Sequence, residues 1–447
     1  MINPDPQQKK AAELIIANPS FVLDADIGAG KTLPAAMAIQ ELISRGWVDT
    51  AYILCTASGR IQWAKKLKQY WPSKLTDILR QKTQAGWCQP NHISLISYNE
   101  ATSITSLPRQ DFSRTMVVLD ESHKIKSPQA KCTKFVMARL KRAGRKLLLS
   151  GSMMGIGYID LYTQYKFLCV PDWPTTKDKF ITRFCEYEVK CYGTRAFKQI
   201  TNYINTDEIK RLISPHSYAF STPKPEHTSG KHYVEVDKSA RKHYDLMRIK
   251  QIINPPTILG WDEFASTADI IPAFKAKAAA AAELWASNLT PTVVFYQYRA
   301  ELPLLRVAFS KAHITVIEGQ LTPRRKEQAI DEFQSGTTEV LIAQIKTITD
   351  SIDLDRAARV IFTGPTYSLI EYRQAVGRIS RRTQTTPTSD TIIIVSGTID
   401  TKIAEALHER SKNYHEIKAQ IKTIARTRFE RHHWPEFEKA RLSDIPD

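Results

Sequence analysis

The sequence lacks the marks of several protein classes. No apolar run approaches the ~20 residues that a membrane-spanning helix needs, and the first residues show no basic segment followed by an apolar one, as a secretion signal would. The six cysteines are scattered, with no Cys-x-x-Cys pair and no histidine at zinc spacing. Free thiols in a reducing compartment fit this pattern. We therefore expect a cytoplasmic protein without a membrane partner.

Acidic residues are also in short supply. The chain has 46 of them against 63 lysines and arginines, which gives a net charge of +17 and a pI near 9.5. Such an excess indicates a polyanionic partner, most simply nucleic acid. A basic protein kept in solution by its charge is the alternative that charge alone leaves open. The 447 residues are enough for two or three domains.

Short apolar runs alternate with helical patterns in the first third of the chain, and the alternation returns near residue 285. Such runs suit a parallel sheet covered on both faces, so the pattern predicts doubly wound α/β domains. We expect a first α/β domain over residues 1–171 and a second over residues 283–447, which ends in a basic helix. Residues 172–282 are predicted to form a mostly helical insert and linker, with a hairpin near 187–197.

Residues 25–32 follow a predicted strand and open a predicted helix, which is the setting of a phosphate-binding loop. Gly28 and Gly30 would let backbone N–H groups turn inward around the phosphates. Lys31 would place its ammonium on the β- and γ-phosphates, and Thr32 would offer its hydroxyl to Mg²⁺. The predicted nucleotide-binding residues of this loop are Asp26, Gly28, Ala29, Gly30, Lys31 and Thr32.

Two carboxylates, Asp120 and Glu121, end the apolar run 117–119. They would emerge at the carboxyl edge of the sheet, where open α/β sheets bind ligands. We expect Asp120 to hold Mg²⁺ and Glu121 to orient and deprotonate the attacking water. The alternative is a surface turn, which is a poor explanation for paired acids that end a buried strand near a phosphate loop.

Arg378 and Arg381 are three residues apart and therefore share one face of a helix or turn. They belong to the second predicted α/β domain, whereas the phosphate loop belongs to the first. ATP is thus predicted to lie between the domains, and closure would complete the site. Arg381 is the expected arginine finger and Arg378 a second phosphate contact. Arg382 follows at once, so part of this run could instead face solvent or DNA.

Gln7 and Gln8 precede the first strand. A glutamine amide can donate to and accept from adenine, so Gln8 is a candidate adenine contact. A merely polar residue at the start of a helix is the alternative.

Further runs match, in order, the motifs of the Swi/Snf-like group of superfamily 2 helicases, which the chain resembles nearly end to end. These runs are 53–58 with 62–63 and 71–72, 96–98, 120–126, 148–152, 160–162, 167–168, 294–297, 318–322 and 374–384. The resemblance implies two RecA-like domains, DNA-dependent ATP hydrolysis with Mg²⁺, a nucleotide contact at Gln374 and 3′-to-5′ movement. It also implies contacts to the DNA backbone at Thr56, Ser97, Gln320 and Thr322. A helix cap or turn is the alternative role for each of these four.

The chain departs from the group at Met153, where proline is usual, and over residues 346–354, where a glycine-rich run is usual. Its insert is shorter than that of chromatin remodellers, and its compact size resembles that of phage-encoded helicases that act on branched DNA in recombination and replication. We therefore expect a monomeric motor in a bacterial host cytoplasm that binds forked, junction or single-stranded DNA and remodels forks and four-way junctions by branch migration. The alternatives are a duplex translocase that displaces proteins, a nucleotide-gated DNA scaffold and an RNA helicase.

Two segments are candidates for separating strands. The predicted hairpin carries Tyr192 and Phe197, which could stack on a base at a fork. Aromatic residues of a hairpin more commonly form a local core. The basic tail over residues 426–441 could follow the DNA backbone, and a solvated helix face is its alternative.

Overall fold

The computed structural model describes residues 4–407, except for residues 57–58, 61–62, 65, 68–91, 104–111, 152, 155–156, 193–194, 222–225, 254–267, 349–353, 367, 381–385 and 406. The described residues fall into two compact units, residues 4–221 and residues 226–407.

The first unit is built on a six-stranded parallel sheet in the order β3-β2-β4-β5-β1-β8. Its strands, with the antiparallel pair β6–β7 outside the sheet, are β1 (Ser20–Ala25), β2 (Thr50–Cys55), β3 (His92–Ser97), β4 (Thr115–Asp120), β5 (Arg145–Ser150), β6 (Cys185–Tyr192), β7 (Arg195–Tyr203) and β8 (Ser217–Phe220). Its helices are α1 (Pro6–Ala17), α2 (Thr32–Ser44), α3 (Tyr98–Ser103), α4 (Lys131–Phe135), α5 (Leu161–Leu168), α6 (Lys177–Phe184) and α7 (Thr206–Ile213). Shorter helical turns span Ser122–Ile125, Val136–Leu140, Tyr158–Asp160 and Ser214–His216.

The core of this unit explains why the central strands read as unbroken apolar runs. β2 is buried at every residue, and β1 and β4 are buried at five of their six residues. Leu23, Ile53 and Val118 pack with Ala38 of α2 and are fully buried. Because helices cover both faces of a parallel sheet, neither side of such a strand has to be polar.

The second unit repeats the plan, with a parallel sheet in the order β11-β12-β10-β13-β14-β9. Its strands are β9 (His227–Val234), β10 (Thr292–Tyr296), β11 (Ile314–Ile317), β12 (Val340–Gln344), β13 (Arg359–Phe362) and β14 (Thr388–Val395). Its helices are α8 (Lys238–Ile253), α9 (Ile271–Ala286), α10 (Glu301–Ala308), α11 (Pro323–Gln334), α12 (Ile345–Ile348) and α13 (Leu369–Val376). The two doubly wound parallel sheets confirm the predicted fold class.

The segment 172–282 differs from the expected insert in one respect. It contains the helices α6, α7 and α8, and β6 pairs with β7 where the sequence predicts a hairpin. However, β8 joins the first sheet beside β1, and β9 joins the second sheet beside β14. The segment therefore contributes an edge strand to each unit. Most β9 side chains are exposed, so this strand lacks the apolar run that identifies the central strands. In the described parts of the chain, no helix is both long and apolar enough to cross a membrane.

Candidate nucleotide site

The phosphate loop joins β1 to α2 at the carboxyl edge of the first sheet, between the neighbouring strands β5 and β8. Gly28 and Gly30 adopt φ angles of +83° and +80°, which glycine reaches without the steric cost that a Cβ would add. Asp26 N donates to the Phe220 carbonyl at 3.2 Å, and Ala29 N donates to the Asp26 carbonyl at 3.0 Å. The predicted loop conformation is thus anchored to the edge strand β8.

The Gln8 side chain supports this loop through hydrogen bonds. Its Nε2 donates to the Ala29 carbonyl at 3.2 Å and lies 3.5 Å from the Gly30 carbonyl, while its Oε1 accepts from Asp5 N at 3.1 Å. The side chain is 5% exposed, and a Cβ at Gly30 would come within 2.6 Å of its Nε2. Both ends of the Gln8 amide are therefore engaged within the protein. An adenine contact by Gln8 stays a prediction, and it would require these bonds to be exchanged.

Lys31 and Thr32 stand where the loop becomes α2. Lys31 Nζ lies 3.5 Å from the Ala25 carbonyl, at the base of the loop. Among the described residues no side chain caps the amino terminus of α2. An uncapped helix start offers backbone N–H groups and the positive end of the helix dipole to an anion, and a phosphate satisfies both.

The carboxylate of Asp120 is held by two donors. Trp63 Nε1 donates to its Oδ2 at 2.8 Å, and Glu121 N donates to its Oδ1 at 3.1 Å. Burial raises the pKa of Asp120, and the neighbouring Glu121 charge raises that pKa further. The Lys31 ammonium and the Trp63 hydrogen bond act in the opposite direction. The phosphate loop follows β1 and Asp120 ends β4, and the one strand between them is β5, so both lie at the same edge of the sheet.

These residues fit a magnesium ion. Mg²⁺ takes oxygen ligands, and in phosphate-transfer sites it uses one or two protein groups and fills the other positions with water and phosphate oxygens. The Thr32 hydroxyl and the Asp120 carboxylate are such a pair. A carboxylate whose charge is disfavoured by burial and by Glu121 gains from a nearby cation.

Glu121 has an unusual backbone, with φ at +52° and ψ at +54°. This left-handed conformation is uncommon outside glycine, and it turns the chain from β4 directly into the helical turn Ser122–Ile125. The Glu121 side chain is 22% exposed, and its Oε2 lies 3.4 Å from Nδ1 of the buried His123. The side chain is therefore partly exposed, while its Oε2 is buried beside His123.

In the second unit, Gln374 lies in α13 and Arg378 lies just beyond it, 5% and 6% exposed respectively. The Arg378 carbonyl accepts from Leu354 N at 3.3 Å. Tyr372 of the same helix donates to Oδ2 of the buried Asp390 at 2.9 Å, and His227 Nε2 lies 2.8 Å from the other Asp390 oxygen. These contacts fix α13 to the strands β14 and β9.

The family models decide the relationship of this chain to known proteins. The SNF2-related domain matches residues 12–258, more than half of the chain, and the helicase conserved C-terminal domain matches residues 276–383. The chain belongs to the SNF2-related family. The two matches confirm the predicted Swi/Snf-like group and the predicted enzyme class, a DNA-dependent ATPase or helicase.

Individual relatives of this SNF2-related chain are distant. It is 22% identical over 91% of its residues to the DNA annealing helicase and endonuclease ZRANB3 of Bos taurus, of which it spans 40%. It is 23% identical over 94% of its residues to the SWI/SNF-related matrix-associated actin-dependent regulator of chromatin subfamily A-like protein 1 of Drosophila melanogaster, of which it spans 56%. The SWI2/SNF2 ATPase core of Sulfolobus solfataricus in complex with dsDNA is 18% identical, with 95% of each chain covered and a TM-score of 0.44.

The predicted DNA contacts of the SNF2-related chain lie at strand ends and helix starts. Thr56 follows β2 and Ser97 ends the adjacent β3, so the structure brings these two hydroxyls to one edge. Thr56 Oγ1 accepts from Gly59 N, and Ser97 Oγ accepts from Glu100 N, both at 3.1 Å. In the second unit, Thr322 caps α11 and Gln320 is exposed. Three of the four residues thus serve as caps, and their contacts with DNA stay predictions.

Several predicted features lie outside the described residues. They are Arg381 and Arg382, residues 71–72, Ser152, most of the glycine-poor run (349–353), the tail over 426–441, and the side chains of Tyr192 and Phe197.

Sequence reasoning missed two residues of this site. Trp63 was assigned to a motif, but its bond to Asp120 joins residues that are 57 positions apart. Gln164 occupies an apolar helix and bonds to Ser122, 42 positions away. Neither contact can be predicted from the periodicity of the sequence, because each joins residues far apart in the chain. For Gln164, the sequence offers one sign of a buried role, a glutamine among the apolar residues of a helix.

Proposed function

We propose that this chain is an ATP-driven motor that moves on DNA and remodels branched DNA, such as forks and four-way junctions, by strand separation or branch migration. The observation that carries the proposal is the grouping of the phosphate loop, Lys31, Asp120 and Glu121 at one edge of the first sheet. Groups for binding phosphate, holding Mg²⁺ and activating water at one edge favour a motor that hydrolyses ATP repeatedly over a nucleotide-gated scaffold. The positive net charge supports a nucleic-acid partner, and the name of the Bos taurus relative describes a DNA annealing helicase.

In this proposal, ATP lies with its phosphates against the loop N–H groups and the Lys31 ammonium. Mg²⁺ held by Thr32 and Asp120 would neutralise phosphate charge and orient the phosphates. Glu121 accepts a proton from the attacking water. Gln374, Arg378 and Arg381 belong to the second family match, and in this proposal they would supply the second unit's contacts to the nucleotide. Binding and hydrolysis of ATP would make the two units hold the DNA backbone in turn.

The grip itself is proposed to use Thr56 and Ser97 in the first unit and Gln320 and Thr322 in the second. Hydroxyls and amides at these places suit phosphate oxygens, which position a duplex without reading its sequence. The β6–β7 pair is the proposed strand separator, with Tyr192 or Phe197 stacking on a base. The pair also exposes Tyr187 and Val189. Action in phage recombination or replication, as a monomer in a host cytoplasm, is part of the same proposal and rests on the sequence resemblance.

The test is a panel of ATPase measurements with single-stranded, duplex, forked and four-way DNA and with RNA, followed by strand-separation and branch-migration assays on the forked and four-way molecules. Lys31→Ala and Glu121→Gln are the matched inactive controls, and both should still bind DNA. Branched DNA should give the strongest stimulation and be remodelled. Strong duplex stimulation without remodelling of any molecule would favour the duplex translocase instead. Stimulation by RNA alone would refute a DNA motor.

A further inference from the structure

A buried amide lies behind the hydrolytic carboxylate. Gln164, in α5, is fully buried, and Ser122 Oγ donates to its Oε1 at 2.7 Å. Its Nε2 donates to the Met153 carbonyl at 2.9 Å and to the Asp160 carbonyl at 2.8 Å. The donors and the acceptor of this amide are all engaged, so the side chain has a single orientation.

The amide joins two segments that each reach the nucleotide site. Ser122 follows Glu121 directly, and Met153 follows the turn at Gly151 after β5. Gly151 packs against the phosphate loop, because a Cβ there would lie 2.9 Å from both the Ala25 carbonyl oxygen and Ile27 Cγ1. Gln164 therefore links the segment that carries Glu121 to the segment that touches the phosphate loop.

This link matters because Glu121 is held in an uncommon backbone conformation, with φ at +52°. Such a conformation costs about 1 kcal/mol or more and persists only when its surroundings enforce it. Asp120 Oδ1 holds the Glu121 N–H on one side. On the other side the next residue, Ser122, is fully buried and bound to Gln164.

Core packing alone does not account for Gln164. Its neighbours along α5 include the buried Tyr165, Phe167 and Leu168. A leucine or methionine would fill the same space without the cost of burying an amide, which is offset only when every polar atom finds a partner. Two of its three partners, Ser122 and Met153, belong to the two site segments, and the third is the carbonyl of Asp160, just before α5.

We propose that Gln164 is a positioning residue for ATP hydrolysis. It holds Ser122, and through it the Glu121 carboxylate, at a fixed place relative to the phosphate loop. This inference rests on the proposed role of Glu121. A displacement of about 1 Å in a reacting group costs up to ~10²-fold in rate, so loss of the tether should lower kcat and leave the binding of ATP nearly unchanged.

The experiment compares three variants. Gln164→Met keeps the volume and removes every hydrogen bond, Ser122→Ala removes only the tether to the Glu121 segment, and Ser214→Ala is the matched control. Ser214 is also buried, and its hydroxyl donates to the Arg211 carbonyl at 3.3 Å, in the helical turn that follows α7. We expect kcat to fall roughly 10- to 100-fold in the first two variants, with the KM for ATP within about twofold of the parent, and no such fall in the control.

Gln164→Glu adds a readout that a purely structural role would not give. Its carboxylate would face the carbonyls of Met153 and Asp160, whereas the protonated acid can donate to one of them. Its kcat relative to the parent should therefore rise as the pH is lowered, and that of Gln164→Met should not.

Two results would overturn the inference: an unchanged kcat in Ser122→Ala, or a rise in KM with kcat preserved in either tether variant. Thermal unfolding of each variant reports on folding, and Ser122→Ala carries the test if Gln164→Met does not fold. Glu121→Gln separates this inference from the proposed site. Hydrolysis that survives Glu121→Gln rejects the role of Glu121 itself, whereas its loss alongside normal tether variants rejects only the tether.

Discussion

Replacing Gln8 by alanine tests whether its amide supports the phosphate loop or contacts the base. The substitution removes the bond from Nε2 to the Ala29 carbonyl and the bond from Asp5 N to Oε1. The side chain is 5% exposed, so water replaces these partners poorly. Gln7, its exposed neighbour, supplies the matched control Gln7→Ala.

The size of the effect follows from the two lost bonds. A buried hydrogen bond contributes about 1 kcal/mol to stability, so Gln8→Ala should lower the free energy of unfolding by about 2 kcal/mol. In a unit of this size, 1 kcal/mol corresponds to a shift of roughly 2–4 °C in Tm. A fall of about 4–8 °C is therefore expected for the first unit, and Gln7→Ala should change it little.

Kinetics with ATP and GTP separate the two roles. The phosphate loop is common to both nucleotides, so loss of a support for the loop should raise both KM values by the same factor. Loss of a base contact should raise the KM for ATP and leave that for GTP unchanged. An unchanged Tm together with an ATP-specific defect would refute the supporting role and favour the adenine contact predicted from the sequence.

Two further predictions concern the reacting groups. Trp63→Phe removes the donor to Asp120 Oδ2. Because that bond lowers the pKa of Asp120, the acid limb of the pH–rate profile should move to higher pH. Trp47→Phe, at an exposed tryptophan, is the control, and an unmoved acid limb in Trp63→Phe would contradict the role of Asp120 in that limb. Arg381→Ala should lower turnover by ~10³-fold or more and preserve ATP binding. Arg382→Ala, at the next residue, should not lower turnover. Equal losses of turnover in both variants would count against Arg381 as the specific arginine finger.

The sequence predicts most of the fold because local patterns carry it. The buried runs of β1, β2 and β4 and the glycines at 28 and 30 are read within a few residues of chain. The edge strand β9 escapes that reading, since its exposed side chains resemble a loop and its pairing with β14 joins residues that are far apart in the chain. The formation of an edge strand such as β9 depends more on the strand it pairs with than on its own amino-acid composition.

The same division holds within the site. The sequence predicts the roles of Lys31, Asp120 and Glu121 because each lies in a short local pattern. These patterns are a glycine-containing loop after a strand and two acids at the end of a buried strand. The left-handed backbone at Glu121 and the contacts of Trp63 and Gln164 depend on tertiary packing. The position of Gln8 was predicted, and its engagement with the Ala29 carbonyl was not.

The attachment of α13 to the second sheet limits how Arg378 can move. Tyr372 ties this helix to Asp390, and Asp390 in turn contacts His227. An arginine on a loose loop could sample its target by local diffusion, but Arg378 is nearly buried beside an anchored helix. In a motor of the proposed kind, Arg378 would therefore reach its target together with α13 and the sheet to which that helix is bound, and not by the movement of one side chain alone.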